Sequence, residues 1–354
     1  MIAETQAPAR VNLWAIYGPS AVITVLAWAT VGSFGGWVQL LTVMILTALE
    51  VTFSFDNAIV NSKLIQRLSP GWQRAFMTVG ILVAVFVVRF ALPIFIVQLT
   101  AGLGFGAVVD LAVHQPLLYQ QHLTAAGPTI DAFGGVFLLM IGVSYFLDDE
   151  KDVHWIGWLE SRLAPLGRFD NVPIFVMLCV AVIAFFTVDP AERGAVLAAA
   201  AIGVALHVGL DLFGAVFDSD DEDEPARGKL TTLVGAAAAV MFVRLEVLDA
   251  SFSFDGVIGA FAITTSVLVI MAGLGAGAMW VRSMTVHLVR TGTLAKYEFL
   301  EHGAHWAILF LGGVMIAKLY GIDLPEWATG SLGIVFIGAA LATSIAARRA
   351  DVAA

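Results

Sequence analysis

Glu50-Val51-Thr52-Phe53-Ser54-Phe55-Asp56-Asn57 recurs 199 residues later as Asp249-Ala250-Ser251-Phe252-Ser253-Phe254-Asp255-Gly256. In both copies an acid is followed four positions on by serine and six positions on by aspartate, and Phe-Ser-Phe-Asp is identical. Both copies lie inside long apolar runs. A carboxylate near the middle of a bilayer is costly and needs a partner, so its default reading is part of an ion or proton pathway. Matched polar breaks in two halves of one chain are the pattern of a secondary transporter whose site lies between the repeats.

The surrounding composition agrees. Of 354 residues 59% are hydrophobic and 13% charged, and the mean hydropathy is +0.89, which places the chain among integral membrane proteins whose partner is the lipid bilayer. A formal charge of -10 excludes a basic face for nucleic acid. Cys179 is the one cysteine, so no internal disulfide exists and the thiol is a packing residue. Apolar runs of spanning length fall at about 13–31, 37–60, 75–98, 131–147, 172–188, 193–217, 230–260, 264–285, 303–320 and 328–347, which predicts about ten transmembrane helices. The first run follows a single basic residue, Arg10, and reads as a retained helix, not a cleaved signal.

Orientation follows from the basic residues of alternate connections. With the N-terminus inside, fourteen Lys and Arg, Arg282 among them, fall on the cytoplasmic side; Arg193 and Lys318 fall outside, and Arg89 and Arg244 within spans. Both termini are then cytoplasmic. The motifs occupy the second and seventh spans, which cross in opposite directions. The expected fold is all-α, a polytopic transmembrane bundle built on an inverted-topology repeat: an extra helix in 1–35, a first repeat in 36–147, linking helices with cytoplasmic loops in 148–229 and the inverted repeat in 230–347. A fainter echo accompanies it, since Gly80 precedes Arg89 by nine residues and Gly273 precedes Arg282 by nine. The acidic tract from Asp218 to Glu224 and the acids Asp148, Asp149, Glu150 and Asp152 read as solvated cytoplasmic loop, the latter leading through Trp155, Trp158 and Leu159 into an amphipathic surface stretch. His207 and Asp211 share one helix face, as a hydrogen-bonded pair or a proton relay.

On an unbroken helix Glu50, Ser54, Asn57 and Asn61 form one polar stripe, and Glu246, Asp249 and Ser253 another. Asp56 and Asp255 lie off these stripes, which predicts a break near Ser-Phe-Asp in each copy. Carboxylates, Asn57, Ser54, Ser253 and freed carbonyls then make an all-oxygen cage suited to a hard divalent cation. The competing reading of these acids is structural pairing with Arg89 or Arg244.

Glu50-x-x-Phe-Ser-x-Asp56-Asn57 and Asp249-x-x-Phe-Ser-x-Asp255-Gly256 resemble the two signatures of the TerC-like membrane proteins of the LysE-type exporter superfamily, and the chain is most similar to their DUF475 branch. The resemblance covers about residues 37–147 and 230–347, including His302 and His305 in the closing helix pair. It implies manganese efflux or metal homeostasis, with a link to tellurium resistance in some members, in a bacterial inner or plasma membrane. Carried over by position, it marks Glu50, Asp56, Asn57, Asp249 and Asp255, with Glu246 as an addition peculiar to this chain; Gly256 replaces a serine. The expected activity is transport, not enzymatic catalysis, of a divalent ion, Mn2+ first. Alternatives are export of a small organic solute, which keeps a role for Arg89, an intramembrane aspartyl protease, and a membrane scaffold in a stress complex.

Overall fold

The computed structural model describes residues 12–148, 151, 153–169, 171–218 and 232–353. Asp149, Glu150, Asp152 and residues 219–231, with most of the acidic tract, lie outside the described residues, as do the side chains of Asp218 and Asp255. Asn12 caps the first helix, α1 (Leu13–Phe53), by accepting from Ala15 N at 3.2 Å. Within α1 the backbone turns over at Gly36, whose φ of 73° is open to glycine. Trp28 Nε1 donates to Thr47 Oγ1 at 3.2 Å, although nineteen residues of straight helix would span about 28 Å. So α1 is two antiparallel arms, and the division read between residues 31 and 37 holds.

Ser54 (φ -101°, ψ 18°) interrupts the second arm, and α2 (Phe55–Gln66) starts afresh beyond it. The predicted break in the first copy is present. After it comes α3 (Pro70–Ala101), which widens into π geometry over Val83–Ala91. Pro93 accounts for this: it has no N–H for the carbonyl of Arg89 and its ring crowds that oxygen, so the expected kink or early end is replaced by a local change of winding. The connection at 100–130 is itself helical, α4 (Phe105–His114) and α5 (Pro116–Ala125). The chain continues through α6 (Gly127–Leu147), α7 (Gly157–Leu163), α8 (Val172–Thr187) and α9 (Arg193–Asp218). It closes with α10 (Gly235–Ile263), α11 (Val267–Thr291), α12 (Leu300–Lys318) and α13 (Glu326–Ala353).

The protein is an all-α multi-pass bundle. Seven described helices are long and apolar enough to cross a membrane, and eight if α7 and α8 form one broken span. Large apolar side chains such as Phe34 (91% exposed) and Phe186 (76%) point away from the bundle, as lipid-facing residues do. The apolar windows of α6, α11 and α12 are 67%, 67% and 61% buried, against 22% for α1 and α13. The former therefore make the centre and the latter the rim.

Two expectations are corrected here. The second motif lies in α10 without interruption, so the break is confined to the first copy. Arg282 is not a loop residue: it stands inside α11 and is 2% exposed. The polar and basic residues that follow it, Ser283, Thr285, His287 and Arg290, made the span look shorter than the helix that carries it.

Small residues let the central helices approach closely, which is how membrane helices gain packing contacts. Gly312 on α12 faces the Gly135 carbonyl on α6, and Gly303 faces the Phe336 carbonyl on α13. A Cβ on Gly80 of α3 would stand 2.6 Å from Glu246 Oε1 on α10; one on Gly277 of α11 would stand 2.5 Å from Glu50 Cβ on α1. The helix after each motif thus packs on the motif helix of the other half. Replacing glycine by alanine inside a helix ordinarily stabilises by about 0.5–1 kcal/mol. At Gly277 overpacking, costing about 1–3 kcal/mol, outweighs that gain, so Gly277→Ala lowers the unfolding temperature in detergent. Gly313→Ala, which meets open space, leaves it unchanged or raises it.

Candidate functional site: a buried carboxylate and guanidinium cluster

The two motif stretches pass each other antiparallel. Asn57 Nδ2 donates to Asp249 Oδ1 at 2.5 Å, and a Cβ on Gly256 would stand 3.5 Å from Glu50 Oε2. Seven residues back along one stretch match seven forward along the other. In both contacts the leading acid of one copy faces the residue that closes the other copy. The ends agree: at the foot of α2 and the head of α10, Ser69 N donates to Leu233 O at 3.1 Å and Leu233 N to Arg67 O at 2.7 Å.

Each leading acid is held by an arginine from the helix that follows its own motif. Arg89, in the π-wound part of α3, donates through Nη2 to Glu50 Oε1, and its Nη1 donates to the Ala84 carbonyl at 2.8 Å. Ser54 Oγ donates to the same Glu50 oxygen at 3.1 Å. In the second half Arg282 Nη2 lies 3.0 Å from both oxygens of Glu246 and 3.6 Å from Asp249 Oδ2, while Nη1 donates to the Phe76 carbonyl at 3.0 Å. Glu50, Asp249, Arg89 and Arg282 are all at most 4% exposed. In such surroundings an unpaired charge costs several kcal/mol, so the pairs are what make burial of these groups tolerable.

The structural pairing weighed for the acids therefore occurs at Glu50, through Arg89, and at Glu246 and Asp249 through Arg282. Arg244 takes no part; it donates to Asp211 Oδ1 at 2.5 Å, and Asp211 Oδ2 lies 3.1 Å from His207 Nε2, the local pair read from their spacing. Arg282 is the residue that sequence reasoning put in the wrong place. The signal was present in the shared glycine-to-arginine spacing of the two halves.

Asp56 is different. It is 7% exposed, its Oδ1 accepts from Asn57 N at 2.8 Å, and no cation pairs with it among the described residues. It lines a cavity of about 100 Å³ together with Glu50 and Ser54, with Oδ2 lying 3.4 Å from the point a Cβ on Gly333 would occupy. The cavity continues past Ala307 to Ile263, Lys318, Leu324 and Thr329, residues at the end of α10, the end of α12, the connection beyond it and the head of α13. Asn57 Oδ1, Asn61 Oδ1 and Ser253 Oγ are buried without a hydrogen-bond partner, an uncommon state for native polar atoms. Among the described residues no three of His, Cys, Asp and Glu form a group that could hold a metal ion. The side chain of Asp255 lies outside the described residues.

A second polar cluster lies at the other end of α2. Lys63 pairs with Glu301, and His305 stacks on Tyr145 with centroids 3.6 Å apart. Glu160, 1% exposed, accepts from Trp155 N at 3.0 Å and Trp306 Nε1 at 3.1 Å and faces His302 Nδ1 at 2.9 Å. The amphipathic stretch expected here is present but turned over, with Trp158 68% exposed and the glutamate inside.

Arg89→Met leaves Glu50 charged and buried without its guanidinium. Its expected cost is about 3–5 kcal/mol, and the double change Arg89→Met with Glu50→Gln recovers at least half of it, because the orphaned charge goes too. Unfolding in detergent followed by tryptophan fluorescence checks both; a double variant no more stable than the single one contradicts the account.

Comparison with known proteins adds one match. No curated protein and no solved structure matches the chain. The model of a family described as a protein of unknown function, DUF475, matches residues 55–351. That range takes in the linking helices, where resemblance was not expected, and begins after Glu50. Covering most of the 354 residues, the match shows that the chain belongs to the DUF475 family.

Proposed function

We propose that this protein is a secondary transporter that exports a divalent metal cation, manganese first, and that Asp56 is the carboxylate that receives it. The observation that carries the reading is Asp56 itself: a buried acid, facing no cation among the described residues, on a cavity that reaches one end of the bundle. The charge balance supports it. Among the described side chains four motif acids, Glu50, Asp56, Glu246 and Asp249, stand against two guanidiniums, Arg89 and Arg282, and a single divalent ion offsets the remainder. The buried oxygens of Asn57, Asn61 and Ser253 add ligands of the kind a hard cation takes. A metal reaching Glu50 or Asp249 takes the place of a guanidinium, so cargo and arginine alternate as partners of these acids.

The antiparallel crossing of the motif stretches supports the inverted repeat, with 36–147 and 230–347 as its halves and the site where they meet. With the termini cytoplasmic, the cavity opens outward, and the Lys63–Glu301 and Glu160–His302 pairs close the inner side. The TerC-like resemblance supports manganese and a connection to tellurium resistance in a bacterial plasma membrane. Transport without catalysis is the reading of the site as a whole.

The test is flux of Mn2+, Mg2+, Ca2+ and Zn2+ into proteoliposomes holding the full chain. Manganese flux is expected, and Asp56→Ala lowers it at least about tenfold, the scale on which an intramembrane acid in an ion pathway acts, with reconstitution unchanged. Wild-type vesicles impermeable to all four metals would sink the metal reading.

A further inference from the structure

Apart from Asp56, Glu50 and Ser54, the wall of the cavity is largely apolar. Beside Asp56 it is formed by Leu46, Leu49, Leu274 and Leu311 and by two aromatic residues, Phe53 and Phe252. The two phenylalanines are the same position of the repeated motif, one from each copy. Aliphatic walls favour the loss of water from an apolar body. Aromatic faces beside a carboxylate are the surroundings that recognise a quaternary ammonium group: the ring quadrupoles attract the cation, and methyl groups on nitrogen ask for no hydrogen bonds.

The nearest competitors for Asp56 are accounted for. Arg89 is committed to Glu50 and Ala84, and Arg282 to Glu246, Asp249 and Phe76. Lys318, which also lines the cavity, lies 4.0 Å from Asp131. It stands eleven residues along α12 from Ala307, which is level with Asp56, and so about 16 Å farther out. Asp56 is left facing no cation among the described residues, on a pocket lined mainly by aliphatic and aromatic side chains.

We infer that the cavity is a binding site for a small organic monocation of the tetraalkylammonium type, held by Asp56 between Phe53 and Phe252. This rests on the reading that Asp56 receives the cargo, and it adds a second class of cargo at the same carboxylate. The volume of about 100 Å³ limits the class to compact cations.

Calorimetric titration of the detergent-solubilised full chain tests it, with tetramethylammonium as probe and neopentyl alcohol as its neutral isostere. Tetramethylammonium is expected to bind at least about tenfold tighter than the alcohol, Asp56→Asn to remove that preference, and Phe53→Leu to weaken the ammonium about fivefold while Asp56-dependent Mn2+ binding persists. Equal affinity for the ammonium and the alcohol overturns the inference, as does ammonium binding that survives Asp56→Asn. Ammonium binding in a protein that carries no metal upholds this inference and removes the metal reading; metal flux without ammonium binding does the reverse.

Discussion

Two buried guanidinium–carboxylate contacts hold the centre of this protein together, Arg89 with Glu50 and Arg282 with Glu246 and Asp249. Every one of these groups is expensive to bring into a bilayer alone, and the cost of leaving one unpartnered exceeds what any neighbouring apolar contact supplies. The pairs therefore dictate which helices are neighbours. Arg89 must lie beside the second arm of α1 and Arg282 beside α10, so each motif helix is bound to the helix after it. The glycines Gly80, Gly273 and Gly277 then bind each of those following helices to the other half. Charge ties elements within a half and close backbone approach ties the halves to each other.

Much of this could be read from the chain. The repeated acids, their spacing and the apolar runs around them gave a multi-pass helical bundle, the hairpin division at Gly36 and the break at Ser54. Asn57 and Asp249 were read on separate polar stripes, and the contact between them is a finding of the structure. Other features were hidden for physical reasons. Arg282 was assigned to a loop because basic residues near an apolar run ordinarily mark its end; only the partner acids on α10 make an interior position tolerable, and they lie 33 and 36 residues away. Glu160 was not singled out among the residues that follow the acidic loop. It is buried because Trp306 and His302, distant in sequence, supply its donors. Continuity of α10 through Ser253 was equally hidden, since the motif residues there match those of the broken copy.

The site divides into an engaged part and an unengaged one. Glu50, Glu246 and Asp249 already face guanidiniums, and the buried oxygens around them lack partners in several places. Asp56 sits one helical segment away, set off by Ser54, and meets the cavity. An interrupted helix is what permits this: on an unbroken one Asp56 would point about 240° around the axis from Glu50, whereas both line one cavity here. The break is therefore the feature that brings the two acids of a single copy to a common space.

That break belongs to only one of two otherwise matched stretches, and this removes the equivalence of the halves. α2 is a twelve-residue rod with a joint at its Ser54 end and a tether, Lys63 to Glu301, near its far end; α10 runs straight through the corresponding place. Any tilt of the rod about that joint would move Asp56 and load the Lys63–Glu301 pair together, whereas α10 has no joint at the matching place. Matched in sequence, the two stretches are thus unlike as mechanical parts, one jointed and one continuous.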